Sequence, residues 1–440
     1  MKRVLVVSYH FPPIGGAGAQ RPAKLVRRLR QLGYESVVVT GPGPGNTRWT
    51  PRDDELNADL PPGTEVLRLQ GPEPAPEGRV QRLLGHDPWS DWWIEGVVAT
   101  SRRAGPVDLV YAWMGPFESA KAAASVARER RVPWVGDLGD PWALDEMAVY
   151  PTGLHRALDL RRMRRSLGRA DAIVMSTPEA AAQVRAAIPE LEGKPVVAIP
   201  NGFAADDFAA PVVPRADDAF RIVHTGYLHT ELGERTRRTA SLRRLVGGAA
   251  RGLDILPRSH VYLLQAVEGL LASDRTLAST LEVHLAGVLS PLDRRVAEQS
   301  AAVRLRGYLP HSETLMLMRT ADLLFLPMHE LPPGQRARIV PGKTYEYLAA
   351  GPPILAAVPD GDARDLLVDA GNAHVCRPKD VDGLAAAIAG ELARFRAGAA
   401  VTPARADVVA RYEYAALARR LVALFDSLLV AIPEAAAAVA

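Results

Sequence analysis

The sequence contains little cysteine, little net charge and no long apolar run, and each absence excludes a class of protein. Cys376 is the single cysteine among 440 residues, which excludes an internal disulfide framework and a zinc site built on several cysteines. The formal net charge is only +3 and both signs are mixed along the chain, so we predict no nucleic-acid binding. The apolar tail from Leu421 onward is interrupted by Asp426, Pro433 and Glu434, which argues against a membrane span.

The N-terminus does not have the pattern of a signal peptide. Lys2 and Arg3 precede an apolar run, but this run is short and has no small-residue cleavage site. We therefore expect a soluble, cytoplasmic protein, with peripheral membrane contact left open. A length of 440 residues favours two domains, and 48% hydrophobic with 23% charged residues is ordinary globular composition.

Strand-like and helix-like segments alternate from the first residues onward. Residues 3–8 form a continuous apolar run, typical of a strand buried on both faces of a parallel sheet. A glycine-bearing loop, a helical pattern ending at Gly33 and a strand over 36–40 follow, which is the opening of a doubly wound domain. The Pro- and Gly-rich segment 41–80 is expected to be irregular. Further strands are predicted at 108–112, 133–136, 171–176 and 195–199.

A second alternation of strands and helices begins after a polar linker from Pro200 to about Asp218. Its strands are predicted at 220–226, 281–287, 303–307, 322–327 and 353–358, and its helices at about 258–272, 311–320, 342–350 and 380–397. The Arg-rich stretch 229–256 is expected to be an inserted loop with a short helix.

These two alternations predict an α/β fold of two Rossmann-like domains that face one another across a ligand-binding cleft. The N-terminal domain would span residues 1–201 and the C-terminal domain residues 202–405. The last helix and tail, 406–440, have no following strand and would cross back to pack on the first domain.

The N-terminal loop carries Gly15, Gly16 and Gly18 between a buried strand and a helix. Free backbone N–H groups and the helix dipole favour an anion there, although a plain tight turn is the alternative. The loop lacks the third glycine of the dinucleotide fingerprint, and the second strand ends at Thr40 without an acidic residue, which disfavours an NAD-dependent oxidoreductase. Arg21 follows on the helix, where it either reaches an anion in the loop or is a solvated arginine.

The strongest segment for chemistry runs from Arg338 to Ala357. A helix opens at Gly342, and Lys343 and Glu346 lie three residues apart on one of its faces. A lysine at a helix N-terminus repels the dipole but suits a phosphate placed there, and a carboxylate one turn later can accept hydrogen bonds from both ribose hydroxyls. The alternative is an exposed ion pair that contributes about a few tenths of a kcal/mol.

This segment resembles the donor-binding signature of glycosyltransferase family 4, whose members are retaining enzymes of the GT-B fold. In that family a Lys-x-x-Glu-Tyr-Leu-Ala-x-Gly-x-Pro-Ile-Leu-Ala pattern holds the nucleotide sugar, and residues 343–356 are similar to it. Other segments are similar to family motifs in the same order along nearly the whole chain: 9–21, 137–142, 199–203, 224–226, 285–287 and 306–310.

The resemblance implies donor-binding residues in the second domain. Glu346 would bind the ribose and Lys343 would lie near the donor. Gly226 would let the diphosphate approach the main chain, and Arg258 would bind that diphosphate. The base would be flanked, largely through main-chain contacts, by Tyr308 and Leu309.

In the first domain, the resemblance implies that Gly16 and Arg21 close over the donor phosphates or the acceptor. Asp137 and Asp140 bracket a predicted strand end, and we assign both as candidate catalytic residues that orient an acceptor hydroxyl. The alternative for Asp140 is that it only caps the turn at Pro141.

The chain departs from the family pattern at three positions, one of which is the strand end near Trp113, where many relatives have a histidine and this chain has none. The family's Glu-x7-Glu pair would place its first carboxylate where this chain has Arg338, and the arginine of the Asp-x-Arg-Asp motif is Gly139 here. Asp360 and Asp362 have the letters of a metal-binding pair, but their place before a helix favours N-capping. We expect no cofactor and no obligatory metal, because cationic side chains and helix N-termini can neutralise a leaving group.

The sequence thus predicts a hexosyltransferase-like enzyme that moves a sugar from a nucleotide-diphosphate sugar to an acceptor, with retention of configuration implied by the resemblance. The acceptor would be a small molecule or a lipid-linked one, and the basic run 156–165 is the reason to leave membrane contact open. Two alternatives remain: a nucleotide-sugar 2-epimerase of the same architecture and a non-catalytic nucleotide-sugar-binding protein.

Overall fold

The computed structural model describes residues 1–45, 50–70, 87–213, 215–250 and 252–437. The chain forms two compact units, and each is built around one parallel sheet. The first unit comprises Met1–Trp142, Leu160–Asn201 and Tyr414–Ala440. The second comprises Ala143–Asp159 and Gly202–Glu413. Residues 143–159, which lie inside the predicted first domain, thus group with the second unit.

Within the described residues, the sheet of the first unit has seven strands: β1 (Lys2–Ser8), β2 (Tyr34–Thr40), β3 (Glu65–Arg68), β4 (Leu109–Trp113), β5 (Trp134–Leu138), β6 (Ala172–Met175) and β7 (Val196–Ala198). Their order is β3-β2-β1-β4-β5-β6-β7, and every pairing is parallel. The helices are α1 (Ala17–Gln31), α2 (Glu55–Ala58), α3 (Pro88–Ser101), α4 (Ser119–Arg130), α5 (Gly153–Leu167) and α6 (Pro178–Ala187). Of these, α5 begins in the second unit and belongs to the first unit from Leu160 onward. The order reverses between β1 and β4, which is the switch point of a doubly wound sheet.

In the described part of the second unit the sheet has six strands: β8 (Phe220–Thr225), β9 (Leu281–Ala286), β10 (Val303–Gly307), β11 (Leu323–Pro327), β12 (Ile354–Ala357) and β13 (Ala373–Cys376). Their order is β10-β9-β8-β11-β12-β13, again parallel throughout. The helices are α7 (Thr230–Leu245), α8 (Val261–Ser273), α9 (Pro291–Ala297), α10 (His311–Arg319), α11 (Lys343–Ala350), α12 (Asp362–Ala370), α13 (Val381–Arg396) and α14 (Ala406–Ala410). Here the switch point lies between β8 and β11.

The last helix, α15 (Tyr414–Ala437), belongs to the first unit, as predicted. Its Phe425 packs edge-on against Tyr34 and Tyr111. Asp426 accepts hydrogen bonds from Lys2 Nζ at 2.5 Å and from the Tyr34 hydroxyl at 2.6 Å. These contacts anchor the end of the chain on the first sheet and its helices.

The structure differs from the prediction in three segments. β3 lies in the stretch 41–80 that was expected to be irregular, of which 46–49 and 71–80 fall outside the described residues. β13 was not predicted. The expected loop with a short helix at 229–256 is mainly the long helix α7. Gly233 allows this helix to lie against the chain at Leu256, because a Cβ at 233 would come within 2.4 Å of the Leu256 Cα.

Candidate functional site

Three adjacent strands of the second sheet end in glycine at the same edge. Gly226, Gly287 and Gly307 have φ values of 96°, 139° and 69°, a region that favours glycine. The Gly226 N–H donates to Ala286 O at 2.7 Å, and the Gly287 N–H donates to Gly307 O at 2.7 Å. A Cβ at 287 would lie 2.6 Å from Gly226 O. The carboxyl ends of β8, β9 and β10 therefore form a surface of bare backbone.

Lys343 lies over this surface. It is the first residue of α11, and a Cβ built at Gly226 would come within 3.0 Å of its Nζ. Burial, reinforced by the nearby Arg258 cation and only partly opposed by Glu346, lowers the pKa of the Lys343 ammonium to about 7. A bound anion would raise the pKa of this amine, because a nearby negative charge favours the protonated form.

The neighbour of Lys343 is His224, a buried residue of β8. Its Nδ1 lies 3.0 Å from the Phe325 carbonyl oxygen, and its Nε2 lies 3.2 Å from Lys343 Nζ. A carbonyl can only accept, so we assign the ring proton to Nδ1, which leaves the Nε2 lone pair facing the lysine. Burial and the lysine charge keep the pKa of His224 well below its usual range. His224 thus positions Lys343.

Arg258 adds a second cation to the same group. Its main chain is fixed by two hydrogen bonds, from its N–H to Ile255 O at 2.9 Å and from the His229 N–H to its carbonyl at 3.0 Å. Its Nη1 lies 2.8 Å from Met147 Sδ. The guanidinium lowers the pKa of Lys343, so the two positive charges are close to one another. Two partly buried cations beside bare backbone form an arrangement suited to a phosphate or diphosphate.

Glu346 lies one turn after Lys343 on α11, and its position is fixed by a histidine that sequence reasoning missed. Glu346 Oε1 lies 3.0 Å from Nε2 of His311, the first residue of α10. On its other side, His311 Nδ1 lies 3.9 Å from Asp207 Oδ2. The Glu346 side chain is 16% exposed, so it is held in place yet remains accessible. The sequence signal for His311 was weak, because 35 residues separate it from its partner.

Tyr308 and Leu309 follow Gly307 at the end of β10, on the same edge as the other donor candidates. Both are partly buried. The Leu309 carbonyl accepts from the Thr314 hydroxyl at 3.3 Å, and Pro310 is the N-cap of α10. The main chain at 308–309 therefore passes directly into the helix that carries His311.

In the first unit, Arg21 and Asp137 form a buried ion pair. Arg21 Nε and Nη2 donate to Asp137 Oδ2 at 3.0 and 2.8 Å, and the Tyr111 hydroxyl donates to the same oxygen. The guanidinium also donates to Pro200 O at 2.5 Å and Ile199 O at 2.9 Å. Arg21 is 1% exposed and Asp137 is fully buried. Burial opposes the charge on Arg21, but Asp137, Tyr111 and Tyr414 together outweigh it and raise the pKa of the guanidinium.

This burial corrects two predictions about the first unit. Arg21 is neither a solvated arginine nor free to close over a ligand, because its donors bind Asp137 and two backbone carbonyls. Asp137 and Asp140 do bracket the end of β5, but the Asp137 carboxylate is fully buried and bound by Arg21 and Tyr111, so it is not presented to a ligand. Asp140 is exposed two residues after β5 and stays a candidate. Gly16 is the N-cap of α1, and its φ of 86° is a backbone conformation that favours glycine.

The segment with Asp360 and Asp362 was expected to cap a helix. Instead Gly361 is the N-cap of α12, with no side-chain cap hydrogen bond. Asp360 Oδ2 accepts from Arg377 Nη1 at 3.2 Å, and Asp362 lies 3.9 Å from Arg336. These arginines therefore neutralise the carboxylates. The expectation that no metal is required stays a prediction.

No helix in the part of the chain that the structure describes is long and apolar enough to cross a membrane.

Two family models match the chain. A glycosyl transferase 4-like domain matches residues 15–202, and a glycosyl transferases group 1 model matches residues 253–393. The chain belongs to the GT-B glycosyltransferases. The first match includes Gly16, Arg21 and the two aspartates, and the second includes Arg258, Lys343 and Glu346. A comparison with curated protein sequences finds no match.

Solved structures share the fold of this glycosyltransferase. Sucrose-phosphate synthase from Thermosynechococcus elongatus is 17% identical with a TM-score of 0.66, covering 98% of this chain and 100% of that chain. HepE from Anabaena in complex with UDP-glucose is 16% identical with a TM-score of 0.61, covering 97% and 100%. A putative UDP-N-acetylglucosamine 2-epimerase from Listeria monocytogenes is 16% identical with a TM-score of 0.54, covering 96% and 94%. At these identities the likeness establishes the fold alone.

Proposed function

We propose that this glycosyltransferase uses a nucleotide-diphosphate sugar as donor and binds it at the carboxyl edge of the second sheet. The observation that carries the proposal is the position of Lys343, whose amine lies beside His224 and above Gly226 with a pKa lowered to about 7. Burying an ammonium next to a second cation is unfavourable unless an anion completes the group. A diphosphate supplies that anion.

In this proposal Lys343 and Arg258 stabilise the negative charge that develops on the departing nucleoside diphosphate. Such stabilisation is effective where water is excluded and the charged groups are already in place. His224 supports this arrangement because its Nε2 holds the lysine amine while Nδ1 is held by Phe325 O. Bare backbone at Gly226 allows the phosphates to approach the main chain without meeting a side chain.

Glu346 is proposed to bind the ribose. A carboxylate can accept from two neighbouring hydroxyls, and His311 fixes the rotamer by engaging Oε1. Lys343 and Glu346 are one turn apart on α11, so the spacing suits a phosphate followed by a sugar ring. The base would then lie against the main chain at Tyr308 and Leu309, just before the helix that carries His311.

The chemical step is proposed to proceed with retention, without a protein nucleophile and without an obligatory metal. The bond between the sugar and the diphosphate breaks to give an oxocarbenium-like sugar, and the acceptor hydroxyl attacks the face from which the diphosphate leaves. A donor phosphate oxygen takes the acceptor proton. Asp140, exposed after β5, is the remaining candidate for orienting that hydroxyl.

The acceptor is proposed to be lipid-linked, on the basis of an exposed apolar patch in the second unit. Leu154, Leu158 and Leu245 are 67%, 56% and 84% exposed. The Gly153 N–H donates to Val246 O at 2.7 Å, which brings the start of α5 next to the end of α7. Arg156 lies between the two leucines of α5, so anionic lipid complements the patch.

Vesicle co-sedimentation tests the membrane contact on which this acceptor proposal rests. The protein should sediment with phosphatidylglycerol-containing vesicles and much less with pure phosphatidylcholine. The variant Leu154→Ser/Leu158→Ser should lose most of the binding, whereas Val368→Ser, a change at another exposed apolar residue, should retain it. Equal sedimentation of wild type and double variant would contradict the proposal.

A nucleotide-sugar 2-epimerase is the second candidate, because a putative UDP-N-acetylglucosamine 2-epimerase shares the fold. The two functions differ in whether product forms from the nucleotide sugar alone. We expect wild-type protein to bind one nucleoside diphosphate and its sugar conjugate in a thermal-shift panel, and to form product only when an acceptor is added. NMR of that product should show the anomeric configuration of the donor. Epimerised nucleotide sugar without acceptor would contradict the transferase proposal.

A further inference from the structure

Glu146 is a buried carboxylate that the mechanism above does not use. It is 4% exposed and lies in the segment 143–159, which groups with the second unit. Its Oε1 accepts from the Arg338 backbone N–H at 3.0 Å and lies 3.3 Å from His329 Nε2. Its Oε2 is buried and has no hydrogen-bond partner among the described residues. A carboxylate oxygen buried in this way is costly unless something donates to it.

The surroundings of Glu146 favour its charged form. Although burial opposes ionisation, His329 and the Arg338 N–H hold the pKa of the Glu146 carboxyl below its usual range. His329 is fully buried. Burial lowers the pKa of this imidazole. The carboxylate is therefore held through one oxygen while the other keeps its capacity to accept.

Glu146 lies at the edge of the sheet that carries the proposed donor site. His329 comes two residues after the end of β11, and β11 is the neighbour of β8 at the switch point. Arg258 connects the two groups: its Nη1 contacts Met147, next to Glu146, and its charge lowers the pKa of both His329 and Lys343. Glu146, Arg258 and Lys343 therefore belong to one group of charged side chains.

We propose that Glu146 Oε2 accepts a hydrogen bond from a hydroxyl of the donor's sugar, which makes Glu146 a specificity-determining residue. The inference rests on the proposed function. The Arg338 N–H and His329 hold Glu146 through Oε1, so Oε2 is not used by these contacts. A sugar without the matching hydroxyl would leave Oε2 buried and unpaired, and such a site rejects the wrong ligand strongly.

Calorimetric titration with two probe pairs tests this inference: UDP against UDP-glucose, and GDP against GDP-mannose. Glu146→Gln keeps an oxygen to accept from the Arg338 N–H but replaces the charged oxygen with an amide nitrogen. We expect this variant to bind the sugar conjugate about tenfold more weakly and the nucleoside diphosphate within about twofold of wild type. Asp145→Asn removes a charge from the neighbouring residue, and we expect it to change neither affinity.

The role of Glu146 would be overturned if Glu146→Gln bound the nucleoside diphosphate and its sugar conjugate more weakly by the same factor. It would also be overturned if the variant kept the wild-type preference for the conjugate. Monodeoxy UDP-glucose or GDP-mannose analogues give a second measurement on the unaltered protein. Wild type should bind one of these analogues about as weakly as the Glu146→Gln variant binds the parent nucleotide sugar. The variant should bind that analogue and the parent nucleotide sugar with the same affinity. If every monodeoxy analogue binds wild type like its parent, the inference is wrong. If wild type binds no nucleoside diphosphate in the thermal-shift panel, the proposed donor site itself fails, and the inference with it.

Discussion

Lys343 Nζ lies 3.2 Å from His224 Nε2, and Nδ1 of the same imidazole faces a carbonyl oxygen, so the histidine is an acceptor toward the lysine. This arrangement holds the amine at the edge of the second sheet without providing a countercharge. The proposed function follows from that imbalance, because Glu346 offsets the positive charges only in part and a bound diphosphate would supply the remaining negative charge. The imbalance also makes ligand binding and folding depend on pH in ways that can be measured.

The contribution of Lys343 should make the ligand-free protein more stable as the pH rises above neutrality. Its pKa is lowered from 10.5 to about 7, so between these values the unfolded chain binds more protons than the native state. The free energy of unfolding therefore increases with pH across this window, and the penalty is fully present below it. Urea unfolding of wild type and Lys343→Met at several pH values across this window checks the prediction. The free energy of unfolding should rise less steeply with pH in the variant than in wild type. Identical slopes would contradict the pKa assignment.

Binding of a nucleoside diphosphate should be coupled to proton uptake. A nearby anion raises the pKa of Lys343, so at pH above about 7 the complex takes up a proton that the free protein had released. Calorimetry of UDP or GDP in buffers of different ionisation enthalpy measures this uptake. Affinity should fall as pH rises above neutrality. Lys343→Met should bind more weakly and without this uptake; unchanged uptake would assign the proton to another group.

Replacing Glu346 by alanine should raise the donor KM by about 10- to 100-fold, because hydrogen bonds to a charged group contribute about 1.5–3 kcal/mol. His311→Asn should have a smaller effect in the same direction, since it removes the group that orients the carboxylate. Glu313→Ala, an exposed residue on the neighbouring helix α10, is the matched control and should leave donor kinetics unchanged. If Glu346→Ala showed wild-type donor kinetics, the ribose assignment would be wrong.

Arg21→Ala should destabilise the first unit by about 3–5 kcal/mol, because it leaves the Asp137 carboxylate buried and uncompensated. The paired change Arg21→Met/Asp137→Leu should recover much of that loss, since no isolated buried charge remains. Urea unfolding monitored by circular dichroism gives the free energies. A loss of donor affinity in the paired variant at unchanged stability would instead support the ligand role that the sequence suggested for Arg21.

The fold was predictable from the sequence where an element has a local signature. β1 contains a continuous apolar run, β8 runs directly into Gly226, and α11 begins directly after Gly342. β13 was missed because Ala373–Cys376 is a short strand with little periodicity. α7 was underestimated because its polar, arginine-rich sequence resembles a solvated loop, although Gly233 lets it pack closely at Leu256.

The candidate site was predictable only where its residues belong to one motif. Lys343 and Glu346 share a helix, so their spacing was visible in the sequence. His224, His311 and Glu146 reach the same edge of the sheet from distant segments, and only the tertiary structure brings them together. Arg21 and Asp137 illustrate the converse. Both stand in motifs that resemble ligand-binding ones, but they satisfy each other's charge in the interior, 116 residues apart along the chain.

The central claim is that a nucleoside diphosphate binds at the glycine-ended strands under Lys343. A crystal structure with the nucleoside diphosphate that stabilises the protein most in the thermal-shift panel tests it directly. We predict the phosphates within hydrogen-bonding distance of Lys343 Nζ and Arg258, with the ribose hydroxyls on Glu346. A nucleotide bound elsewhere, with Lys343 and Glu346 making no contact to it, would contradict the account.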